Sequence, residues 1–207
     1  MPAYFSIVFE LNKTKTAIQD FCVALSDVGL AFKSGILDYE SDSFADIIAW
    51  NQNKLDHNFA LGYTENSSHD YKQMKFDFCD FTEVRVFVLN DKKSSTFEFF
   101  LIVPEDDFLE YRKNGDGYVV ERRNERMDLM KSLAKRMWGE TEILAVQTEW
   151  EGSDRPPKAK QISHQRPPQT EPFCIVSNLS VADKLGLPFE QIERGGVLIE
   201  ACDNWNY

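Results

Sequence analysis

The sequence predicts a single α+β domain, in which two long helices pack on a mostly antiparallel or mixed sheet and a long proline-rich loop is inserted. The 207 residues suit one domain. Of these, 43% are hydrophobic, which is enough apolar material to bury a core without disulfides. Strand and helix patterns do not alternate strictly along the chain, and this disfavours a doubly wound parallel sheet.

The first third of the chain predicts one strand and two helices. Residues 3–11 alternate apolar and polar side chains at period two, which indicates a strand. Residues 15–28 carry apolar side chains at helical spacing, and Gly29 is placed to end that helix in a left-handed turn. Residues 42–54 repeat the helical spacing, and a serine at the start can cap this second helix.

The middle of the chain is rich in strand patterns. Strands are predicted at 57–63, 74–81, 83–90 and 95–103, with a hairpin loop at 90–94 between the last two. The last two strands carry apolar residues on both faces, so we expect them at the centre of the sheet, covered on both sides.

The second half returns to helices and then to short strands. Pro104 ends the preceding strand and can open a short helix at 105–112, because early acids suit the positive end of the helix dipole. The remaining predictions are a turn at 114–117, a long helix at 120–138, a strand at 142–150, a strand at 173–176, short helical segments at 180–185 and 188–192, and a last strand at 197–202.

Residues 151–172 differ from the rest of the chain in composition. This segment holds five of the eight prolines and almost no apolar residues. Polyproline-like or partly disordered chain has this composition. Strand patterns resume on both sides of it, so we expect an extended proline-rich loop inserted between strands of one domain spanning 1–207.

Composition and motifs exclude several functional classes. The formal net charge of -11 repels the phosphate backbone, so we expect no nucleic-acid partner. No apolar run reaches the ~18 residues of a membrane span and the start does not read as a signal peptide, so we expect a cytoplasmic protein without membrane contact. No phosphate-binding glycine motif and no clustered metal-ligand spacing occurs, so we expect neither a cofactor nor a metal.

The four cysteines are predicted to be buried thiols. Cys22, Cys79, Cys174 and Cys202 lie far apart in the sequence and each has apolar neighbours, which is typical of free core cysteines. A nucleophilic pairing of Cys79 with His69 is conceivable, since an imidazole can generate the thiolate. The strand pattern around Cys79 favours an inert core thiol instead.

The strongest functional signal is an acidic stretch interleaved with aromatic residues. Between Ile36 and Glu83 ten acids oppose three lysines. Aromatic anchors within one sign of charge are typical of a protein interface, where the rings are desolvated and the charges steer. A solvated acidic surface over core aromatics remains the alternative. The predicted partner-binding residues are Asp38, Tyr39, Glu40, Asp42, Asp46 and Trp50.

Two hypotheses of function follow. The first is a non-enzymatic acidic protein that binds a basic protein partner; an immunity-type protein, which neutralises a cationic toxin by occlusion, has these traits. The second is a hydrolase-like enzyme with a site under the proline-rich loop, built from Glu149, Glu151, His164 and Arg166. A subunit of a larger assembly is a third possibility, which predicts a large exposed apolar patch.

Overall fold

The computed structural model describes residues 3–62, 71–115, 117–152 and 155–201, without the side chain of Arg122. The strands in these ranges are β1 Tyr4–Asn12, β2 Ala31–Gly35, β3 Met74–Asp77, β4 Val84–Leu89, β5 Thr96–Pro104, β6 Leu109–Asn114, β7 Gly117–Arg122, β8 Ile143–Trp150, β9 Phe173–Val176, β10 Phe189–Gln191 and β11 Val197–Glu200. The α-helices are α1 Ala17–Asp27, α2 Phe44–Asp56, α3 Asn124–Glu140, α4 Ala159–Ser163 and α5 Leu179–Leu185. Short 3-10 helices lie at Leu37–Tyr39, Glu105–Asp107 and Glu193–Gly195.

One large sheet organises the domain. Nine strands pair in the order β10-β11-β9-β8-β1-β5-β4-β3-β2, and every neighbouring pair is antiparallel. β6 and β7 form a separate two-stranded ribbon. The predicted α+β class is therefore confirmed, as a single domain dominated by its sheet.

The main core lies between the sheet and helices α1, α2 and α3. Alternate residues of the central strands point into this layer, so that β1 and β5 bring aromatic rings against α1. Phe21 of α1 stacks on Phe99 with ring centroids 3.9 Å apart, and Phe9 meets Phe21 edge-on at 5.2 Å. All three rings are fully buried, and each contributes roughly 1.5–3 kcal/mol by leaving water.

The opposite face of the sheet is covered by α4, α5 and the proline-rich loop, which connects β8 with β9. Residues 159–163 of this loop form α4, whose Ile162 is buried with Val181 of α5 against the strands. Next to this small apolar cluster lies a layer of buried polar side chains on β1, β5 and β8. The loop is therefore less extended than its prolines suggest.

The predicted helix at 105–112 is wrong. Residues 105–107 form only a 3-10 turn, after which Phe108 packs edge-on against Phe5 in the core, at 4.9 Å between centroids. The chain then continues as β6 and β7, because the turn around Gly115 joins two segments whose side chains pair across the ribbon. The long helix predicted from 120 accordingly begins later, at Asn124.

Four local features differ from the sequence predictions. The sequence pattern missed the edge strand β2, which pairs with β3, and residues 189–191 form β10 instead of a helical turn. Cys79 follows β3 in an exposed turn with a positive φ of 48°, so it is not a core thiol. The predicted strand at 57–63 is wrong over its described residues, 57–62, where Leu61 makes only an isolated bridge to Asn90. Tyr63, His69 and Cys202 lie outside the described residues.

Candidate partner-binding site

The start of α2 is fixed by a side-chain cap that includes one of the predicted partner-binding residues. The hydroxyl of Ser43 accepts a hydrogen bond from the backbone N–H of Asp46 at 3.2 Å. The same hydroxyl donates to the Asp46 carboxylate at 2.6 Å. A serine N-cap of this kind stabilises a helix start by about 1 kcal/mol. Asp46 is nevertheless exposed, so its negative charge stays at the surface.

Three of the predicted residues surround the ammonium group of Lys72. Lys72 Nζ lies 4.5 Å from the ring centroid of Tyr39 and 4.5 Å from that of Trp50. It also donates to Asp42 Oδ2 at 2.5 Å. Two aromatic faces and a carboxylate around one cation make a site for a partly desolvated ammonium or guanidinium group. We call Tyr39, Asp42 and Trp50 the cation cage.

A buried asparagine holds Lys72 at the cage. Asn51 of α2 is fully buried, and its side-chain amide donates to the backbone carbonyl of Lys72 at 2.9 Å. Its Oδ1 accepts from the backbone N–H of Lys72, also at 2.9 Å. This pair of bonds fixes the Lys72 backbone on α2, so the cage is filled by a neighbouring part of the same chain.

The rest of the acidic surface keeps uncompensated charge. Asp38 and Glu40 are exposed, and in the described part of the chain neither makes an ion pair. Of the other two lysines of the acidic stretch, Lys75 pairs with Glu83 at 3.2 Å, whereas Lys54 lies 5.1 Å from the ring centroid of Trp50 and 4.5 Å from that of Phe59. We call Asp38, Glu40, Asp46 and the cation cage together the acidic face.

A second polar cluster lies on the opposite face of the sheet, under the proline-rich loop. Glu98 of β5 is almost fully buried and pairs with Arg155 and with Lys158, whose Nζ lies 2.8 Å from Glu98 Oε1. Glu10 of β1 is also buried and accepts from the hydroxyl of Thr96 at 2.7 Å. The two ion pairs of Glu98 attach the loop to the centre of the sheet.

Glu149 is the residue in this cluster with the most perturbed acidity. Burial, the nearby Glu98 carboxylate and Glu171 raise the pKa of Glu149 to about 7, and Arg155 opposes the rise. Its Oε2 is buried and makes no hydrogen bond within the described residues. A carboxyl group with these properties is able to exchange a proton at neutral pH.

The four residues of the predicted pocket are not brought together. Glu151 accepts a hydrogen bond from the backbone N–H of Tyr4 at 3.1 Å. His164 is exposed, and its Nδ1 lies 2.6 Å from the carbonyl of Lys160 in the same turn. Arg166 lines a small cavity of about 140 Å³ against α5, and neither Glu149 nor the other two residues line that cavity.

A larger cavity opens at the far end of the sheet. It has a volume of about 290 Å³ and lies where the start of α3 meets the ends of β8 and β11. Its walls combine apolar side chains such as Met127 and Trp150 with Lys131, which is paired with Asp128 at 2.8 Å and Glu200 at 2.9 Å. Within the described ranges no three His, Cys, Asp or Glu side chains are grouped as a metal site requires.

Comparison with known proteins gives no relative. No protein-family model, no curated protein and no solved structure matches the chain. Among the helices that the structure describes, none has the length and apolar character needed to cross a membrane.

Sequence reasoning did not find Lys72, Asn51 or Glu98. Lys72 is one of only three lysines among ten acids, and this isolation could have identified it as an ion-pair partner of those acids. Glu98 stood as a lone charge within the apolar run Phe97–Val103, which predicts a buried carboxylate with a partner. Asn51 carried no comparable signal, because asparagine is common on exposed helix faces.

Proposed function

We propose that this chain is a non-enzymatic binding protein whose acidic face engages a basic protein partner. The observation that carries the proposal is the cation cage, where the Lys72 ammonium lies between two aromatic rings and a carboxylate. A surface that holds a cation of its own chain in this way has the chemistry to hold the Lys or Arg side chains of a partner.

The division of roles within the acidic face follows from exposure. Trp50 is 39% exposed, and a partner's guanidinium group can stack on its ring by displacing Lys54, a contact worth about 0.5–2 kcal/mol depending on desolvation. Asp38 and Glu40 are exposed and so act mainly on the rate of association, through long-range attraction that falls as salt rises. The net charge of -11 adds to this attraction.

The finer proposal is an immunity-type protein that neutralises a cationic toxin by occlusion. A nuclease toxin presents a basic cleft to nucleic acid, and carboxylates on an inhibitor can occupy the positions meant for phosphates. Strong negative charge and an exposed aromatic anchor support this proposal. The partner is therefore defined here by its chemistry, as a protein with a clustered Lys/Arg surface.

The test is affinity capture followed by measured binding. The purified chain is used to capture proteins from a native lysate at low salt, and each captured basic protein is purified and titrated by calorimetry. The double variant Asp38→Asn/Glu40→Gln should raise Kd by roughly tenfold, since each exposed charge contributes up to ~1 kcal/mol. The matched control is Asp183→Asn/Glu140→Gln, which removes the same charge from exposed sites elsewhere.

Two outcomes contradict the proposal. If both double variants weaken binding equally, the total charge binds the partner and the acidic face has no special role. If no basic protein is captured at low salt, the acidic face only keeps the chain in solution.

The enzyme hypothesis retains one specific observation, the raised pKa of Glu149 beside Glu98. Paired carboxyl groups whose pKa values differ are a common acid–base device. The scattered positions of Glu151, His164 and Arg166 remove the rest of the predicted pocket from Glu149, so the binding function has the better support. Hydrolysis of a model ester or phosphoester that is lost in Glu149→Gln would reverse this preference.

A further inference from the structure

A shallow groove runs between α1 and α2 on the outer side of the helical layer. It encloses about 530 Å³, and the side chains that line it come from both helices. Gln52 of α2 ties the helices together at one end, because its Oε1 accepts from the backbone N–H of Ile18 at 2.9 Å. Along α2 the lining runs from Phe44 to Asp56, about 18 Å at the rise of an α-helix, whereas on α1 it runs only from Gln19 to Val23.

The lining of the groove includes exposed apolar side chains, where a solvated helix surface is normally polar, beside the polar side chains of Gln19, Gln52 and Asn53. Val23 is 49% exposed, although the other large apolar residues of α1 are fully buried. On α2, Ala45 and Ala49 are exposed one turn apart, and Ile48 is half-buried between them. Ile47 and Leu55 bind α2 to the core and Ile48 also packs against it in part, so Val23, Ala45 and Ala49 are the apolar side chains of this lining that lie outside the core.

Exposed acids lie on both helices, and one of them, Asp56, lines the groove itself. Asp20 and Asp27 of α1 and Asp46 and Asp56 of α2 are all exposed, and within the described chain none of the four makes an ion pair with a cation. Lys15 is the one basic side chain in the groove lining. An apolar floor with an acidic rim complements a helix that has an apolar stripe and basic flanks.

We propose that the groove between α1 and α2 seats an amphipathic, Lys/Arg-flanked helix contributed by the basic partner. The small side chains of Ala45 and Ala49 let such a helix approach closely, and Val23 and Ile48 supply its apolar contact. The acids of the rim then pair with its cationic flanks. This inference rests on the proposed function, to which it adds the structural class of the bound element.

Charge also disfavours other occupants of the groove between α1 and α2. A second copy would bring the same acidic rim against itself, and a membrane with anionic lipids would be repelled in the same way. An extended strand gains nothing at this place, because the backbone groups of two helices are already hydrogen-bonded internally.

The experiment uses three fluorescent peptides of about 18 residues, the length of five helical turns. The first places Leu and Lys so that a helix is amphipathic, the second has the same composition in a scrambled order, and the third replaces every Lys by Glu. Anisotropy titrations with the full chain should give saturable binding for the first peptide and at least tenfold weaker binding for the others. Shifts in amide NMR signals should be largest at α1 and α2.

Two neutral substitutions test the location. Ala49→Gln and Val23→Gln fill or polarise the groove without changing charge and should raise Kd by about tenfold, the cost of losing a well-packed contact. Ser132→Gln, at an exposed position of α3, is the matched control and should leave Kd unchanged. Thermal unfolding of each variant shows whether it is folded.

The outcomes separate this inference from the proposed function. Equal binding of the scrambled peptide, or no effect of Ala49→Gln on a folded chain, overturns the groove as a helix site. Binding that depends on Asp38 and Glu40 would survive that result, and the proposed function with it. Failure of every basic peptide and every basic protein to bind would overturn both.

Discussion

Glu10 and Glu98 lie directly opposite each other on β1 and β5, and both side chains are buried. Two carboxylates in facing positions of a sheet repel each other, so the fold must supply compensating groups. It does so from the proline-rich loop, where Arg155 and Lys158 pair with Glu98 and the backbone N–H of Ala159 donates to Glu10. The position of the loop is thus coupled to the charge state of the sheet beneath it.

Removing one cation from this cluster should lower the free energy of unfolding more than removing the carboxylate with which that cation pairs. Lys158→Met leaves the buried Glu98 carboxylate with Arg155 as its remaining cation, and we expect a loss of about 1–3 kcal/mol in the free energy of unfolding. Glu98→Gln relieves the repulsion from Glu10 and leaves cations that are partly exposed, so it should cost ~1 kcal/mol or less. Urea denaturation measures both values.

The double variant provides the check. Lys158→Met should cost at least ~0.5 kcal/mol less in the Glu98→Gln background than alone, because the two residues interact. Lys160→Met, an exposed lysine two residues further on, is the control and should stay within about 0.5 kcal/mol of the parent. Strict additivity of the two substitutions would mean that the ion pair contributes nothing.

Stability should fall as pH rises towards neutrality because of Glu149. Its pKa is about 7 in the folded chain and lies near the ordinary glutamate value when the chain unfolds, so the folded state holds the proton more tightly. The stabilisation that this proton gives is complete at pH values below the pKa of Glu149 in the unfolded chain, and it is lost as pH rises through about 7. Above that pH, the charged carboxylate faces Glu98 and Glu171, with Arg155 as the compensating cation.

Glu149→Gln isolates this effect. Urea denaturation at several pH values between 5 and 8 measures the free energy of unfolding. This free energy should decline less with rising pH for Glu149→Gln than for the parent, and Glu140→Gln should follow the parent. A carbon-detected NMR titration of the Glu149 carboxyl provides a direct value. If parent and Glu149→Gln show the same pH dependence, other groups cause the decline.

Much of the fold followed from sequence periodicity, and the failures have definite physical causes. The strands β4 and β5 were predicted within about one residue, because apolar side chains on both faces are characteristic of central strands. The segment 105–122 was misassigned because acids and a proline are local helix signals. The pairing of β6 with β7 and the burial of Phe108 are decided by contacts that local propensity does not contain.

The candidate site was predictable only in part, for a related reason. The acidic and aromatic residues of the acidic face lie within a short stretch of sequence, so their composition identified them. Lys72 reaches Asp42 from 30 positions away, and Arg155 reaches Glu98 from 57. Pairings across such separations depend on how the sheet and the loop are arranged, and one sequence does not encode them in any local pattern.

The contact between Asn51 and Lys72 should be important for stability. Asn51→Ala removes two hydrogen bonds and leaves the backbone N–H and carbonyl of Lys72 without their buried partners, for a loss of about 2–4 kcal/mol. Asn53→Ala, at an exposed position on the same helix, should cost less than ~1 kcal/mol and controls for helix propensity. Equal effects of both substitutions would show that Lys72 is held by the cation cage alone.

The described cysteines should differ sharply in reactivity. Cys22 and Cys174 are fully buried, and burial raises the pKa of each thiol, so little reactive thiolate forms in the folded chain. Cys79 is exposed in a turn and should react with a disulfide reagent at mildly alkaline pH as soon as the reagent is added. The assay uses a Cys202→Ser background, so that every counted thiol belongs to a described residue.

In the Cys202→Ser background, one equivalent of thiol should react quickly in native protein, and the other two should react only when urea unfolds the chain. The further substitution Cys79→Ser should abolish the fast phase without altering the slow one. The slow phase should also accelerate with urea in parallel with unfolding, because access to Cys22 and Cys174 requires opening of the two cores. Rapid labelling of Cys174 in native protein would instead show that α4, α5 and the proline-rich loop open independently of the main core.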